Sequence, residues 1–567
     1  MSALRRRWPL RRGASDEARI ELKLGAGPEH DQGYRLLIRP ERIEVDARSA
    51  AGLRHGVTTL VQLIDSGAAH VAAMRIEDWP DFAVRGVMLD VSRCKVPTQS
   101  ELCRVIDELG RWKFNQLQLY TEHTFAYRRH RCVWRGASPL TAGQVRRIDR
   151  LAARSGIELV PNQNSFGHME RWLRHRRYAP FAETREPWRT PWGDTRTGPA
   201  TLNPIDPRSL KLITGLYDEL LPNYSSNLIN VGCDETFELG QGASRAACLR
   251  RGRAHVYADF VAKIHRALKT RRRRMMFWAD MVLQDSAALD RIGADAIPLI
   301  WGYEANHPFG IQCRRIARTR RQFYVCPGTS SWCSFAGRYS NAAANIRRAA
   351  AAGRRHGATG LLLTDWGDFG HRQWFSASQL PIALAAAEAW CGTTNAGADV
   401  SDEVSRRCWG DDSGQLGRLW KAAGDVHEAL GVRIKNQSAL FAIMQAEMAD
   451  VRFIPGLAAS RLGAVQRTTR RLVERARSLT LRDSRGKLAQ KELLATLRVL
   501  HHACVRGRVA LARRTDAAAL RWLAADMRGI ITTHRQLWRR RHRPGGCAES
   551  LGYYRRNLRE YELRPRR

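Results

Sequence analysis

The chain has 567 residues, of which 44% are hydrophobic and 26% are charged, so it exceeds one ordinary core and is expected to form about two to four domains. Its formal net charge of +39 suggests a nucleic-acid partner at first sight. Only ten of its 94 basic residues are Lys, however, and the Arg residues are scattered over every segment, a pattern typical of a GC-rich genome; we therefore expect no specific nucleic-acid partner.

The twelve cysteines include no Cys-x-x-Cys pair. Zinc sites and dithiol redox sites commonly use that spacing, so the sequence indicates neither. We expect reduced, buried thiols that pack as small hydrophobic side chains. The sequence predicts no metal site and no other cofactor.

Residues 1–18 are predicted to form a basic tail. They contain the cluster Arg5, Arg6 and Arg7 without the apolar run that follows such a cluster in a secretory leader. The chain has no stretch of 18 or more apolar residues, so no membrane span is expected. These patterns predict a cytoplasmic protein, and a misassigned start codon would leave export open.

Residues 19–80 are predicted to form a small α+β domain. Short strand patterns at 20–24, 34–38 and 43–46 precede an amphipathic helix at 50–64. The apolar side chains of that helix recur at helical spacing, for example at Leu53, Val57 and Leu60.

Residues 81–396 show repeated strand-then-helix units. Eight apolar strand-like runs occur at 84–91, 116–120, 157–161, 228–231, 275–278, 297–301, 323–326 and 360–364, separated by helical patterns. Eight such units over about 310 residues predict a (β/α)8 TIM barrel with insertions. The alternative is a doubly wound open sheet, which normally has a Gly-rich phosphate turn after its first strand; residues 92–97 contain no Gly.

Strand patterns stop after about residue 397. Long amphipathic segments rich in Ala, Leu and Arg occur at 413–430, 456–479, 487–511 and 516–538. Residues 397–567 are therefore predicted to be an α-helical region. It could buttress the barrel, mediate oligomerisation or contribute to a substrate groove, and the sequence leaves the oligomeric state open.

Asp234 and Glu235 follow the fourth predicted strand, at the end of a barrel strand where catalytic groups collect. Two adjacent carboxylates can persist where one stays protonated as an acid while the other is charged. An acidic turn or a helix N-cap is the alternative interpretation. Other strands also end in polar and aromatic residues, which favours a sugar pocket with aromatic walls; these include Arg93, Glu122, His168, Trp278, Asp280, Trp301, Trp366 and Asp368.

On these residues the chain resembles glycoside hydrolase family 20, the β-N-acetylhexosaminidases. The matching motifs keep the family's order over roughly residues 20–390. They are Ile76-Glu77-Asp78-Trp79-Pro80, Arg85-Gly86-Val87-Met88-Leu89-Asp90-Val91-Ser92-Arg93, Gly167-His168, Leu202-Asn203-Pro204, Gly232-Cys233-Asp234-Glu235 and Trp366-Gly367-Asp368. The resemblance implies a retaining exo-β-N-acetylhexosaminidase that acts on oligosaccharides or glycoconjugates ending in β-linked GlcNAc or GalNAc.

The resemblance implies substrate-assisted catalysis, in which the 2-acetamido oxygen of the substrate attacks the anomeric carbon and gives an oxazolinium intermediate. Glu235 would then be the acid and base, and Asp234 would hold the acetamido N–H. His168 would orient or tune this pair. A core histidine satisfied by the backbone is the alternative for His168.

The same resemblance implies that Arg93 forms forked hydrogen bonds to hydroxyls of the terminal sugar. Asp368 would accept from the O4 and O6 hydroxyls, with Glu122 near them. A buried ion pair with Asp90 is the alternative for Arg93, and a helix N-cap is the alternative for Asp368. Three tryptophans would wall the acetamido pocket, with simple packing as the alternative for any single one: Trp278, Trp301 and Trp366.

Four departures from the family pattern leave the sugar preference and the aglycone open. Residues 230–233 read Asn-Val-Gly-Cys where relatives have His-x-Gly-Gly or His-x-Gly-Ala, residues 119–123 lack the family's His-Trp-His run, and Asn164 stands where an acidic residue is common. The tyrosine that binds the acetamido carbonyl is not evident after the seventh strand, where Ser331 is a nearby candidate.

Two other functions stay open at this level. A non-catalytic glycan-binding relative would keep the fold without turnover, although the presence of both Asp234 and Glu235 argues against it. A basic nucleic-acid-associated protein would bind DNA in a steeply salt-dependent manner.

Overall fold

The computed structural model describes residues 20–65, 71–285, 287–512 and 516–563. The predicted basic tail, residues 1–18, lies outside the described residues. Within the described ranges, no helix is both long and apolar enough to cross a membrane.

A four-stranded sheet and one helix form the small N-terminal domain. Its elements are β1 (Ile20–Leu24), β2 (Tyr34–Ile38), β3 (Ile43–Ala47), α1 (Ala50–Ile64) and β4 (Met74–Asp78), with the strand order β1-β3-β2-β4. Helix α1 begins after Ser49, whose side-chain oxygen accepts from the backbone N–H groups of Ala51 and Gly52. The sequence predicts every element except β4, whose short pattern holds only two apolar side chains, Met74 and Ile76, before acidic residues.

Eight parallel strands close into a barrel in the middle of the chain. The eight barrel strands are β5 (Val84–Asp90), β6 (Gln116–Thr121), β7 (Glu158–Gln163), β10 (Leu228–Asn230), β11 (Arg274–Trp278), β12 (Ile297–Trp301), β13 (Tyr324–Cys326) and β14 (Gly360–Asp365). A separate hairpin of β8 (Trp188–Arg189) and β9 (Thr195–Arg196) is inserted between β7 and β10. β14 closes the barrel against β5, where Asp365 pairs with Leu89. The (β/α)8 prediction is confirmed, and each predicted strand ends within about two residues of the observed one.

Helices surround the barrel and connect its strands. They are α2 (Gln99–Arg111), α3 (Arg131–Trp134), α4 (Ala142–Arg154), α5 (Glu170–Leu173), α6 (Pro207–Leu220), α7 (Arg245–Arg251), α8 (Arg253–Lys269), α9 (Asp280–Gln284), α10 (Ala287–Asp290), α11 (Phe309–Ala317), α12 (Tyr339–His356) and α13 (Ser376–Cys391), with short 3₁₀ turns at Ala179–Phe181 and Leu221–Asn223.

The C-terminal region is helical, as the sequence predicts. Its helices are α14 (Ser401–Trp409), α15 (Gln415–Asp425), α16 (Ala439–Gln445), α17 (Ala459–Ser478), α18 (Ser484–Leu511), α19 (Ala517–Arg541) and α20 (Cys547–Leu563), with 3₁₀ turns at Val426–Leu430 and Val451–Phe453. The sequence does not predict α14, α16 or α20 as separate helices.

The helical region is joined to the loop that follows the first barrel strand. The backbone N–H of Thr98 donates to the carbonyl of Arg541 at 2.9 Å, and the N–H of Arg543 donates to the carbonyl of Val96 at 2.8 Å. The buried Arg541 guanidinium also pairs with Glu492 of α18 at 2.6 Å. The sequence leaves three roles open for this region, and these contacts support the first of them, buttressing the barrel.

Inside the barrel, a layer of amide side chains lies below the end of the fourth strand. The Gln118 side-chain oxygen accepts from the amide groups of Asn162 at 3.1 Å and Asn230 at 3.0 Å. The Asn230 oxygen in turn accepts from the backbone N–H of Gly232 at 3.0 Å. This network fixes the start of the turn that carries Asp234 and Glu235.

Candidate active site at the carboxyl end of the barrel

The turn after β10 has an unusual backbone. Gly232, Cys233 and Glu235 have φ values of +68°, +67° and +48°, in the left-handed region that non-glycine residues rarely adopt. A Cβ atom at position 232 would lie 1.7 Å from the side-chain oxygen of Asn164, so this position requires glycine. The Cys233 side chain is fully buried, while its carbonyl accepts from the hydroxyl of Tyr257 at 2.8 Å.

His168 lies between the two carboxylates. Its Nε2 atom is 3.3 Å from Asp234 Oδ2 and 3.6 Å from Glu235 Oε2. Burial lowers the pKa of His168, but the neighbouring Asp234 carboxylate outweighs that effect and raises the pKa to about 10. The imidazole is therefore a cation at neutral pH and contacts both acidic side chains.

Glu235 lies in surroundings that favour its protonated form. Burial raises the pKa of Glu235, the charges of Asp234 and Asp368 raise it further, and the cations His168 and Arg93 oppose this rise. Its side chain is 35% exposed, whereas that of Asp234 is 8% exposed. One carboxyl of the pair is thus partly open to a reactant, and the other is almost enclosed.

One oxygen of the enclosed carboxylate has no bonding partner. Asp234 Oδ1 is buried and accepts no hydrogen bond from any described residue. A buried acceptor without a donor is costly. A ligand with an N–H group could remove that cost.

Asp280 braces the pair from the next strand. Its carboxylate accepts from the backbone N–H of Glu235 at 3.1 Å and from the indole N–H of Trp301 at 3.4 Å. Burial, followed by the charge of Asp234, raises the pKa of Asp280 to about 8. The sequence places Asp280 at a strand end but gives it no role, because its partner is a main-chain group on another strand.

Arg93 lies among three carboxylates. Its guanidinium is 3.1 Å from Asp90, 3.2 Å from Asp368 and 3.7 Å from Glu122. The ion pair with Asp90 that was the alternative interpretation is therefore present, and it coexists with the contact to Asp368. The Tyr120 ring lies 5.0 Å below the guanidinium carbon, so the forked donor group is held rigidly.

Glu122 and Asp368, which both contact Arg93, also have shifted pKa values. Burial raises the pKa of Glu122 to about 7, and its Oε1 accepts from the Tyr120 hydroxyl at 3.0 Å. Burial also raises the pKa of Asp368, and the cation Arg93 opposes that rise. Both groups can accept hydrogen bonds from sugar hydroxyls.

Aromatic rings line the space between these polar groups. Trp278 lies 6.1 Å from Trp366 between ring centroids, and Trp301 stacks on Tyr303 at 5.2 Å. The Trp366 indole N–H donates to the Tyr303 hydroxyl at 2.8 Å. The three predicted tryptophans are therefore brought together.

Tyr303 is a site residue that sequence reasoning missed. It follows the sixth strand, two residues after Trp301, whereas the resemblance implies a tyrosine after the seventh strand. The Ser331 hydroxyl donates to the buried carboxylate of Asp365 at 2.7 Å. Ser331 therefore serves that internal network, whereas the Tyr303 hydroxyl lies among the clustered tryptophans, bonded to Trp366.

No group of three or more His, Cys, Asp or Glu side chains among the described residues is arranged to hold a metal ion. The chemistry available at this end of the barrel is that of the paired carboxyls, the His168 cation, the Arg93 fork and the aromatic walls.

Two family models match the chain. Residues 82–308 match the model described as glycosyl hydrolase family 20, catalytic domain, and residues 2–79 match the model described as glycosyl hydrolase family 20, domain 2. The first match includes Arg93, Asp234 and Glu235 but ends before the seventh and eighth strands.

Curated hexosaminidases align with shorter segments of the chain than the family models cover together. A β-N-acetylhexosaminidase from Cellulomonas fimi is 38% identical over 121 residues, covering 21% of this chain and 24% of the relative. Human hexosaminidase D is 27% identical over 236 residues, covering 40% of this chain and 46% of the relative. The chain thus spans less than half the length of each of these relatives.

Solved structures share the fold. An exo-β-N-acetylglucosaminidase of family 20 from Vibrio harveyi, solved with N-acetylglucosamine, superposes with a TM-score of 0.58 at 16% identity, covering 75% of this chain and 72% of that one. A β-N-acetylhexosaminidase from Bacteroides fragilis gives a TM-score of 0.53 at 18% identity, covering 66% of this chain and 80% of that one.

Proposed function

We infer the activity from the family: the chain belongs to glycosyl hydrolase family 20, two models of which together match more than half of its residues. We propose that it is an exo-acting, retaining β-N-acetylhexosaminidase that releases terminal β-linked GlcNAc or GalNAc from oligosaccharides or glycoconjugates. The observation that carries this proposal is the unpartnered, buried Asp234 Oδ1 beside a Glu235 carboxyl whose pKa is raised.

The first step uses the substrate's own acetamido group. Its N–H donates to Asp234 Oδ1, its carbonyl oxygen attacks the anomeric carbon, and the bond from that carbon to the leaving oxygen breaks. The Glu235 carboxyl gives its proton to the leaving oxygen, which departs as a hydroxyl. The product on the enzyme is an oxazolinium ion, whose positive charge Asp234 stabilises.

The second step returns the site to its starting state. The Glu235 carboxylate takes a proton from water, and the water oxygen attacks the anomeric carbon from the side that the leaving group vacated. The bond to the acetamido oxygen breaks and the acetamido group is restored. Two displacements at one carbon give overall retention of configuration.

The remaining residues position the terminal sugar. The Arg93 fork and the carboxyls of Asp368 and Glu122 bind its hydroxyls. The three tryptophans enclose the acetamido methyl group. The Tyr303 hydroxyl accepts from Trp366, and we assign to this hydroxyl the hydrogen bond to the acetamido carbonyl oxygen.

A chromogenic β-GlcNAc glycoside tests the proposal. The wild-type protein should hydrolyse it, and Glu235→Gln should lower kcat by at least about 1000-fold, since amide nitrogen cannot supply the proton. Glu447→Gln, which changes an exposed glutamate outside the barrel, is the matched control and should retain activity. Sugar binding without product by the folded wild-type protein would instead favour a non-catalytic glycan-binding relative.

A series of fluorinated substrates distinguishes substrate-assisted retention from retention through an enzyme carboxylate nucleophile. Replacing one, two or all three methyl hydrogens of the acetamido group with fluorine weakens the carbonyl oxygen as a nucleophile. The rate should fall steadily along this series if the substrate supplies the nucleophile. A rate that does not depend on fluorination would point to an enzyme carboxylate as the nucleophile.

A further inference from the structure

Arg372 is a buried cation with few hydrogen-bond partners. It lies in the loop between β14 and α13 and is 2% exposed. Its Nη2 atom donates to the side-chain oxygen of Gln445 at 2.8 Å. Its Nε and Nη1 atoms are buried and donate to no acceptor among the described residues. Since Nε carries one hydrogen and Nη1 carries two, at least three of the five N–H groups are unpaired.

Aromatic rings surround this guanidinium without satisfying its N–H groups. The guanidinium carbon lies 4.4 Å from the ring centroid of Phe441, 4.9 Å from that of Tyr553 and 5.1 Å from that of Phe335. Ring faces attract the positive charge, whereas the N–H bonds point outward in the plane of the guanidinium and need acceptors there. The rings therefore offset part of the charge and leave the donors at its edge unpaired.

Other buried arginines of this chain do have acceptors. Arg506 pairs with Glu560 at 2.6 Å, and Arg541 pairs with Glu492 at 2.6 Å. Arg85 donates to two main-chain carbonyls at 2.8 and 2.9 Å. Buried charges and donors are costly unless they are paired. A buried guanidinium in this fold is thus met by a carboxylate or by carbonyls, and the unpaired one at position 372 points to an acceptor taken from solution.

Arg372 lines a small cavity between the barrel and the helices α18 and α19. The cavity volume is about 20 Å³, and one water molecule needs about 10–15 Å³, so a single small particle fits. The lining also includes Arg498, which is paired with Asp526 at 2.7 Å, and the hydroxyl-bearing Thr496 and Thr533. Over the part of the chain that the structure describes, no Asp or Glu lines it. The wall therefore carries positive charge and donor groups without a carboxylate.

We propose that this cavity binds one chloride ion, held by the Arg372 guanidinium. A monatomic anion suits the volume, whereas phosphate, sulfate and carboxylate ligands are larger than one water-sized particle. The ion accepts from the unpaired N–H groups and neutralises the buried cation. It thereby joins the loop that carries Asp368 to the C-terminal helices. Binding of this ion does not depend on the proposed hydrolase activity.

Thermal unfolding at constant ionic strength tests the site. As chloride replaces gluconate, the unfolding midpoint of the wild-type protein should rise by about 1–3 °C and then level off, because the ion binds only the folded state. Arg372→Met removes the donors and should abolish this saturable rise. Arg528→Met, at an exposed ion pair with Glu562, is the matched control and should keep it. Equal chloride responses in Arg372→Met and the wild-type protein would overturn the site.

Bromide provides a second measurement that needs no variant. Bromide can replace chloride in crystals of the wild-type protein, and its anomalous X-ray scattering locates a bound ion directly. We expect an anomalous peak within hydrogen-bonding distance of Arg372 Nε or Nη1. A cavity filled by water, with no bromide peak at Arg372, would overturn the site even if Arg372→Met failed to fold.

Discussion

The carboxylate of Asp280 accepts a hydrogen bond from the backbone N–H of Glu235 at 3.1 Å. Glu235 has a φ of +48°, a conformation that costs a non-glycine residue about 1–3 kcal/mol and persists when its surroundings enforce it. The same carboxylate receives the Trp301 indole N–H. Asp280 therefore fixes both the backbone of the candidate acid and Trp301, one wall of the proposed acetamido pocket.

Removing that acceptor should lower the rate more than it lowers binding. Asp280→Ala leaves a main-chain donor unpaired, a loss of about 1–3 kcal/mol, so we expect kcat to fall by about 10–100-fold while KM changes by less than about threefold. Asp280→Asn keeps an acceptor oxygen and should lose less than about fivefold. Steady-state kinetics on a chromogenic glycoside measure both, and equal losses in the two variants would contradict this role.

The pH profile should respond to His168. The His168 cation lowers the pKa of Glu235, and the acid acts only while protonated, so activity is lost as the pH rises through that pKa. His168→Gln removes the cation, which raises the pKa of Glu235 and moves the alkaline limb of kcat/KM to higher pH.

A second histidine provides the control for this profile. Burial lowers the pKa of His123 to about 3, so this side chain is neutral over the working range. His123→Gln should leave the alkaline limb in place. An alkaline limb that moved to lower pH in His168→Gln would refute the electrostatic argument.

Arg93 should not be replaceable by lysine. Lys keeps the charge but presents a single point of donation where the guanidinium presents a planar fork. We expect Arg93→Lys to lower kcat/KM by about 10–100-fold. Arg208→Lys, at an exposed ion pair with Asp206, is the control and should retain wild-type kinetics; similar kinetics in both variants would argue against a sugar-binding fork.

The buried ion pairs of Arg541 predict a stability effect. Arg541 is 4% exposed and pairs with Glu492 and Glu101 at 2.6 and 2.8 Å. Arg541→Met leaves the buried Glu492 carboxylate without its cation, while Glu101 keeps its ion pair with Arg104 at 2.8 Å, so the free energy of unfolding should fall by about 3–5 kcal/mol.

An exposed pair supplies the comparison. Arg528 contacts Glu562 at the surface of the same helical region, and Arg528→Met should cost less than about 1 kcal/mol. Urea unfolding followed by circular dichroism measures both variants. A loss in Arg541→Met as small as that in Arg528→Met would show that the buried pairs do not stabilise the fold.

The barrel could be predicted from the sequence because its strands are short apolar runs that end in polar residues. β12, for example, is a buried apolar strand that ends at Trp301 and coincides with the predicted run. The same pattern indicates Asp234 and Glu235 as candidate catalytic residues, since a strand end marks the functional face of a parallel barrel.

Other features could not be predicted because they depend on distant contacts. Tyr303 reaches the site from a loop, and its place is set by Trp366, which is 63 positions away in the chain. Ser331 is close to the expected position of the missing tyrosine, but its hydroxyl is directed to Asp365. The strands of the β8–β9 hairpin have two residues each, too few to show a periodic pattern.

The bonds that join Val96 and Thr98 to Arg543 and Arg541 limit how this protein can be recombined with its relatives. The loop that supplies Arg93 ends in residues whose main-chain groups are paired by the C-terminal helices. A hybrid that exchanged those helices for another C-terminal region would leave the loop's donors and acceptors unmatched. A hybrid protein should therefore take the barrel and the C-terminal helices from the same parent.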